Sequence, residues 1–512
     1  MSLYEKLYDW QKKIVDNFKN KRAYGLFLDM GLGKTPISLA FAEVNKSDKI
    51  LVITINSKAI EKEDIKGSWL NWSTQMEYKY NSKSKNDKNL SFDKNEKEIM
   101  VVNYEWLKDP KSNKKEGVKI RREILDFIQS GIEKNVTIIC DESHKIKASN
   151  SIQTKCVQKI WDLVKKVSKD PHLYLLTGTP FTQGYIDLHT QLQLLGIDMS
   201  KTKFKDSFCI MDNRPGLYGW QQPIKAYKNV DELFNLVHKV AITMKSEEVV
   251  DLPEQNFVYF NYPQTSYMKL FTNETAYPKD IKLWLGKKLN MNDVLKQESK
   301  QPNPYFRNID YPDYNWVADT ASAFWLRSRE LSIGFQGNSE EYKIYDRTRF
   351  NMLKKFLEEN EDNYLLFYSY TPEFIELFDI VSELGYNIDV YNGIMKTTEN
   401  YDKYADLKDG EKLMTKHNNI ILANWSSGST GINFQAYNKC IVFDLPVYKD
   451  WEQGIKRIHR LGQKEKCIYY MFTQDCWLDI GMWKAIKEQR DYTKDTFESD
   501  LKRVRDILEG NK

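Results

Sequence analysis

The run Asp29-Met30-Gly31-Leu32-Gly33-Lys34-Thr35 carries residue types that can hold a triphosphate. Glycines at a strand-to-helix turn let backbone N–H groups close around phosphate oxygens, and the N-terminus of the following helix adds a favourable dipole. Lys34 would reach the β- and γ-phosphates, and the Thr35 hydroxyl would bind Mg²⁺. Leu28 stands where the usual pattern has its first glycine, so taken alone the run reads either as a nucleotide loop or as a Gly-rich turn. A second group is Asp141-Glu142-Ser143-His144, after the apolar run 136–140. An acidic pair at the carboxyl end of a central strand lies beside the phosphate loop in doubly wound sheets. Asp141 would hold the metal, directly or through water. Glu142 would position and deprotonate the attacking water. In Leu176-Thr177-Gly178-Thr179-Pro180, Thr177 and Thr179 could offer hydroxyls near Asp141 and His144, although Gly-Thr-Pro is also plain turn chemistry. Far along the chain stands Gln453-Gly454-Ile455-Lys456-Arg457-Ile458-His459-Arg460-Leu461-Gly462-Gln463. Arg457 and Arg460, three apart on a helix, would share one face. An arginine offered to a triphosphate from another element is worth about 10³–10⁵ in rate in GTPases.

These groups need strands to position them. Apolar runs at 24–28, 50–55, 99–102, 136–140 and 173–176 alternate with helical patterns at 36–44, 120–129 and 151–167, which predicts a parallel sheet with helices on both faces. A second alternating region has strands at 364–368, 388–391, 420–423, 440–443 and 467–471, with helices at 347–359 and 372–384. Between them, about 205–340 reads as helical and irregular, with the aromatic stretch 301–316. The expected architecture is α/β: a first lobe at 1–205, a helical protrusion or linker at 206–340, a second lobe at 341–485 and a C-terminal helical segment at 486–512. Two polar stretches, 79–98 and 108–122, read as solvated loops or helix faces, with nucleic-acid contact as the lesser alternative.

Composition narrows the class. The chain has 512 residues, 41% hydrophobic and 29% charged, as in a globular protein of two or three domains. No apolar run approaches the ~18 residues of a membrane helix, and the first residues lack the apolar core of a secretory signal, so a cytoplasmic setting and no membrane partner are expected. A net charge of +4 neither requires nor excludes a nucleic-acid partner. The six cysteines form no CxxC pair and the six histidines no HExxH, so the expected metal is one that arrives with the nucleotide.

The motifs DMGLGKT, DESH, LTGTP and QGIKRIHRLGQ, in this order, resemble those of the superfamily 2 helicases and most of all the Snf2-like group of ATP-driven DNA translocases. The resemblance covers roughly 5–490 and implies two RecA-like lobes. It implies that Gln11 reads the adenine edge and that Gly31, Gly33, Lys34 and Thr35 hold the phosphates and Mg²⁺. Asp141 and Glu142 become the metal-binding and water-activating acids. His144, Thr177, Thr179 and Gln453 serve coupling; Arg457 and Arg460 are the paired arginines, with Arg460 as the finger. Stretch 52–58, with Ser57 and Lys58, resembles a DNA-backbone motif, as do Asn103-Tyr104-Glu105, Ser369 at the end of 365–369, and 424–433, where Gly428, Thr430 and Gly431 allow close backbone approach. Departures are Phe27-Leu28-Asp29 for Ala-Asp-Glu, Trp425-Ser426-Ser427 for a Thr-Arg-Ala-like run, and no Trp-Asn-Pro before Gln453. The chain reads as a divergent, minimal member in a phage or bacterial style, which would place it in a host cytoplasm if phage-encoded.

The resemblance implies that ATP binds between the lobes and that DNA, chiefly duplex, is held by sequence-independent backbone contacts across both. The alternative is a strand-separating helicase on forks, D-loops or R-loops, for which Tyr305, Phe306, Tyr311, Tyr314 and Trp316 could supply a pin. An RNA helicase and a non-motor adaptor holding ATP as a structural ligand are further rivals. Protein partners are not legible.

Overall fold

The computed structural model describes residues 2–55, 69–82, 92–110, 118–181, 184–211, 224–249, 251–265, 321–337, 342–406, 418–428 and 434–488. The chain divides into two compact units, 1–252 with 460–462 and 253–459 with 463–512.

The first unit contains β1 (Ala23–Leu28), β2 (Lys49–Thr54), β3 (Lys79–Ser82), β4 (Glu98–Asn103), β5 (Asn135–Asp141) and β6 (Asp170–Leu176). A small antiparallel pair follows, β7 (Cys209–Met211) and β8 (Ile224–Tyr227), and then β9 (Ala241–Met244). The main sheet has the order β3-β4-β2-β5-β6-β1-β9, with every neighbour parallel. Its inner strands read as near-continuous apolar runs because both faces are covered. Alternate residues serve the two faces. Tyr24, Leu26, Leu28, Ile50, Val52 and Ile139 pack with helices Asp9–Phe18 and Lys34–Val44. Phe27, Leu51, Ile53, Ile138, Cys140 and Leu175 pack with helices Arg122–Ser130 and Ile152–Val167. Ser151 caps the last of these by accepting the Thr154 N–H.

The second unit begins with β10 (Gln255–Pro263). After helix Ala321–Ile333 and the antiparallel pair β11 (Phe335–Gly337) and β12 (Tyr342–Ile344), it continues with β13 (Tyr364–Tyr368), β14 (Asn387–Tyr391), β15 (Asn419–Asn424), β16 (Lys439–Val442) and β17 (Cys467–Asp475). Its parallel sheet has the order β10-β17-β16-β13-β15-β14. Helices Thr348–Glu359 and Thr371–Glu383 cover one face through Phe350, Leu353, Leu377 and Val381. Helix Trp477–Lys487 covers the other through Leu478, Met482 and Ala485. The molecule is thus α/β with two parallel-sheet lobes.

Three differences from the sequence reading have physical causes. The stretch 206–340, expected to be a helical insertion, supplies β9 as an edge strand of the first sheet and β10 as an edge strand of the second, nine residues in register with β17. β9 has only four residues and β10 is largely exposed or half-buried along its length, so neither writes a clear apolar run. The polar stretch 79–98, expected to be solvated, opens with edge strand β3 and ends with Glu98 fully buried, where it meets the buried Lys49 at 2.5 Å. A buried charge is tolerated when it is paired, which composition alone cannot show. The run 453–463 is helical only to Ile455: helix Tyr448–Ile455 gives way to turns that carry Arg457 and Arg460, closed by Gly462 at φ 98°. The aromatic stretch 301–316 and all but the start of the expected segment 486–512 lie outside the described residues.

Among the described residues no helix is long and apolar enough to cross a membrane. All six cysteines are free and buried, and no cluster of His, Cys, Asp or Glu suited to a metal ion occurs among the described residues.

Candidate nucleotide site

The carboxyl ends of β5, β6 and β1 lie side by side, in register at Asp141, Leu176 and Leu26. At a strand spacing of about 4.8 Å, this brings three motifs into one row: the acid pair after β5, Thr177-Gly178-Thr179 after β6 and the glycine loop after β1. Ligands bind in this crevice of open parallel sheets.

The loop itself has the geometry of an anion cradle. Gly31 and Gly33 take φ of 83° and 73°, the left-handed region that side chains resist. Gly33 is also crowded: a Cβ there would lie 2.5 Å from Gln11 Nε2. Helix Lys34–Val44 starts immediately after it. The Lys34 ammonium donates to the carbonyls of Leu28 (2.8 Å) and Asp29 (3.0 Å), so it lies folded along the loop. Thr35 is half-buried at the first turn. Asp29 fastens the loop from below, accepting the Ser246 N–H at 3.3 Å and the Ser246 hydroxyl at 3.0 Å. Gln11 is buried and engaged at both ends of its amide. Its oxygen accepts the Tyr8 N–H (3.0 Å), capping the helix Asp9–Phe18, and its nitrogen donates to the Leu32 carbonyl (3.1 Å).

Asp141 and Glu142 are buried, at 2% and 3% exposure. Asp141 Oδ1 accepts the Glu142 N–H at 3.0 Å. Oδ2 accepts the Thr54 hydroxyl at 3.0 Å and the Trp69 indole N–H at 3.2 Å. Glu142 has φ 51°, a non-glycine residue in the left-handed region, a strain that sites of function tolerate. His144 Nδ1 lies 3.4 Å from Glu142 Oε2 and 3.3 Å from the Thr177 hydroxyl, which also accepts the Thr179 N–H at 3.1 Å. The Thr179 hydroxyl is buried with no hydrogen-bond partner among the described residues. Glycines in the left-handed region, an orphaned hydroxyl and a buried acid pair beside a threonine and a lysine make a donor set that fits a nucleoside triphosphate with its divalent cation.

Sequence reasoning missed Thr54, Trp69 and Gln191. Gln191, fully buried, accepts the Ser143 hydroxyl (2.8 Å) and donates to the Pro180 carbonyl (2.6 Å), joining the acid-pair turn to the Thr179 turn. It sits on helix Leu188–Leu194, and no spacing links it to either motif. Tyr104, expected to touch DNA, is 2% exposed; its hydroxyl donates to the Asp141 carbonyl at 2.8 Å. Burial pushes its phenol well above the ordinary tyrosine value, so it stays a donor. That placement corrects the sequence reading: a strand end that looks surface-facing is closed over by core residues, and the exposed residue there is Glu105.

In the second unit the expected residues separate. The Ser369 hydroxyl donates to Asp444 at 2.5 Å, and Asp444 is paired with Arg329 at 2.7 Å. Gly428 ends the short helix Trp425–Gly428 that follows β15. Gln453 and Arg457 are 2% and 6% exposed; Arg460, in the stretch 460–462 that belongs to the first unit, is half-buried. Gly454 is obligatory because a Cβ there would lie 2.4 Å from Trp425 Cζ3, and Trp425 stacks on Phe367 at 4.1 Å. Ser57, Lys58, Thr430 and Gly431 lie outside the described residues.

A parallel sheet with a glycine loop, an acid pair and a threonine turn on three adjacent strands, followed along the chain by a second parallel sheet, defines an α/β architecture of two RecA-like lobes. Residues 4–182 match the family described as type III restriction enzyme, res subunit, and 348–464 match the helicase conserved C-terminal domain; together these span more than half of the chain. The ATP-dependent DNA helicase DDM1 of Arabidopsis thaliana is 23% identical over 357 residues, 65% of this chain and 42% of that protein. The uncharacterized ATP-dependent helicase YqhH of Bacillus subtilis is 25% identical over 362 residues, 66% of this chain and 55% of that one. The DNA repair protein rhp54 of Schizosaccharomyces pombe is 22% identical over 353 residues, 65% of this chain and 39% of that one. The chain thus spans about half or less of the length of these relatives. A solved structure, the Sulfolobus solfataricus SWI2/SNF2 ATPase core in complex with dsDNA, aligns with TM-score 0.34 at 18% identity over 99% of this chain and 96% of that one. The chain belongs to the superfamily 2 helicase-type ATPases, within their Snf2-like group.

Proposed function

We propose that this protein is a DNA-dependent ATPase, a motor that couples ATP hydrolysis to translocation along duplex DNA. The observation that carries the reading is the row formed by the glycine loop, the acid pair and the threonine turn after β1, β5 and β6 respectively, in a chain of this family. ATP would be held by Gly31, Gly33, Lys34 and Thr35, with Gln11 at the adenine edge and Mg²⁺ between Thr35 and Asp141. Glu142 would take the proton of the attacking water as it adds to the γ-phosphorus, and His144, beside its carboxylate at 3.4 Å, and Thr177, beside His144 at 3.3 Å, would couple the acid pair to the threonine turn. Bound Mg-ATP supplies the phosphoanhydride whose cleavage drives the cycle. Arg457 and Arg460 would stabilise charge in the transition state from the second lobe, and Gln453 and Thr179 would transmit the state of the site. Ser57, Lys58, Ser369, Gly428 and Thr430 would meet the DNA backbone, giving sequence-independent and salt-sensitive binding. Two lobes, the first extended past 205 by β9 and the second begun before 341 by β10, and a cytoplasmic location complete the proposal.

The test is ATPase activity titrated in parallel with duplex DNA, single-stranded DNA and RNA, with Lys34→Ala as the inactive control. Stimulation by duplex alone is expected. Preference for single strands or forks would replace translocation with strand separation, and full activity of Lys34→Ala would remove the phosphate-loop assignment.

A further inference from the structure

Asp141 is held from an unexpected side. Three of its partners are Thr54 at the end of β2, Tyr104 just after β4 and Trp69 at the start of a short helix between them; β2 and β4 lie on the flank of β5 away from the glycine loop. Thr54 is the last residue of β2, and its hydroxyl donates to Oδ2. Trp69, 2% exposed, opens the short helix Trp69–Ser73 and donates its indole N–H to the same oxygen. Tyr104 follows β4 and donates to the Asp141 carbonyl. In sequence, Thr54 and Trp69 bracket residues 55–68, which include Ser57 and Lys58, and Tyr104 stands within the second stretch assigned to the DNA backbone. The metal-binding acid is therefore hydrogen-bonded to Thr54 and Trp69, which border a stretch expected to grip DNA, and its carbonyl to Tyr104, which is buried.

We infer that Thr54, Trp69 and Tyr104 are positioning residues that set the Asp141 carboxylate and transmit DNA engagement to the nucleotide site. The inference rests on the function proposed above, with Asp141 as metal ligand and DNA as activator. The physical argument is geometric. Two donors on Oδ2 and the Glu142 N–H on Oδ1 fix both oxygens. Hydrogen bonds to a charged acceptor are short-ranged and directional, so a small displacement of the Thr54 or Trp69 backbone turns the carboxylate. A group that orients a catalytic ligand must hold it within about 0.5 Å of the productive position. Displacing Thr54 and Trp69 on DNA engagement then changes how well Asp141 meets the cation, with no donor in the relay touching nucleotide.

The test uses the full chain and the isosteric variants Trp69→Phe, Thr54→Val and Tyr104→Phe, with Thr54→Ser as the conservative variant that keeps the hydroxyl. Basal and duplex-stimulated kcat, KM for ATP and the Mg²⁺ concentration for half-maximal activity are measured, together with thermal midpoints. Trp69→Phe and Thr54→Val are each expected to lower stimulated kcat about tenfold, the scale of one hydrogen bond to a charged group. KM for ATP should stay within about twofold, the ratio of stimulated to basal kcat should fall, and the Mg²⁺ requirement should rise. Thr54→Ser should restore the ratio. Equal loss of basal and stimulated rates at unchanged ratio, or no loss at all, overturns the inference and leaves these residues as packing. If Trp69→Phe does not fold, the Thr54→Val and Thr54→Ser pair decides alone. Asp141→Asn separates the two levels: full ATPase in that variant removes the underlying reading of Asp141, whereas an inactive Asp141→Asn beside an unaltered Trp69→Phe and Thr54→Val removes only the relay.

Discussion

Gly33→Ala isolates what the glycine loop does. Gly33 sits at φ 73°, and a methyl group there would lie 2.5 Å from Gln11 Nε2 and 3.3 Å from Pro36 Cγ. Alanine in the left-handed region costs roughly 1–2 kcal/mol. The clash expels the Gln11 amide from the Leu32 carbonyl, a bond worth about 1 kcal/mol. Together roughly 2–3 kcal/mol opposes the binding-competent loop, which corresponds to about a 30- to 150-fold weaker ATP affinity. The assay is a titration with a fluorescent ATP analogue against wild type, Gly33→Ala, Gln11→Ala and the double variant. Because the two residues are in contact, their effects should not add. Gly33→Ala should cost about 1 kcal/mol less in the Gln11→Ala background, where the clash is gone and only the backbone strain remains. An affinity of Gly33→Ala within about threefold of wild type would refute the cradle, and strict additivity would refute the steric link to Gln11.

Three further outcomes are expected. Arg460→Ala should retain ATP affinity within about threefold and lose turnover by about 10³ or more; loss of DNA affinity alone would make it a DNA contact. Lys49→Met takes the buried partner from Glu98 and leaves it the half-exposed Lys79 at 3.5 Å, so it should lower stability by about 3 kcal/mol in urea unfolding, the low end of the cost of breaking a buried pair; an unchanged midpoint would contradict the burial of the pair. Burial, reinforced by the neighbouring Asp444 charge, pushes the Glu373 carboxyl well above the usual carboxylate range, against the bonds it accepts from the Ser369 (2.8 Å) and Tyr370 (2.7 Å) N–H groups. Its folded-state value exceeds that of the unfolded chain, so its contribution is full below the ordinary carboxylate pKa of about 4.3 and is lost as pH rises through the raised value. Glu373→Gln should therefore gain stability over wild type with rising pH, by up to about 1.4 kcal/mol per unit of separation; parallel pH profiles in denaturant unfolding would contradict it.

Much of this architecture was legible because parallel strands buried on both faces write themselves as apolar runs. The 364–368 strand is recovered to the residue, and β5 and β6 to within a few. The glycine loop and the acid pair announce themselves by residue type. What stayed hidden depends on partners distant in sequence. Edge strands β9 and β10 gain their identity only from β1 and β17. Lys49 and Glu98, 49 residues apart, look solvated until they pair. Trp69 reads as one more aromatic residue until its indole meets Asp141, 72 residues away. Arg457 and Arg460 kept their spacing but left the helix, because Gly454 must admit Trp425 and Gly462 turns the chain.

The ladder joining β5, β6 and β1 acts as a ruler for the three chemical motifs. Their separation is set by backbone hydrogen bonds at fixed spacing, with Asp141 opposite Leu176 and Leu176 opposite Leu26. Lengthening any of these strands by one residue would swap its two faces and carry its motif out of line. The same insertion in the turn 131–134, at the opposite end of β5, would leave the ruler untouched. In this lobe, tolerance to sequence drift therefore has a direction: broad at the amino ends of the strands, and closed at the ends that carry the chemistry.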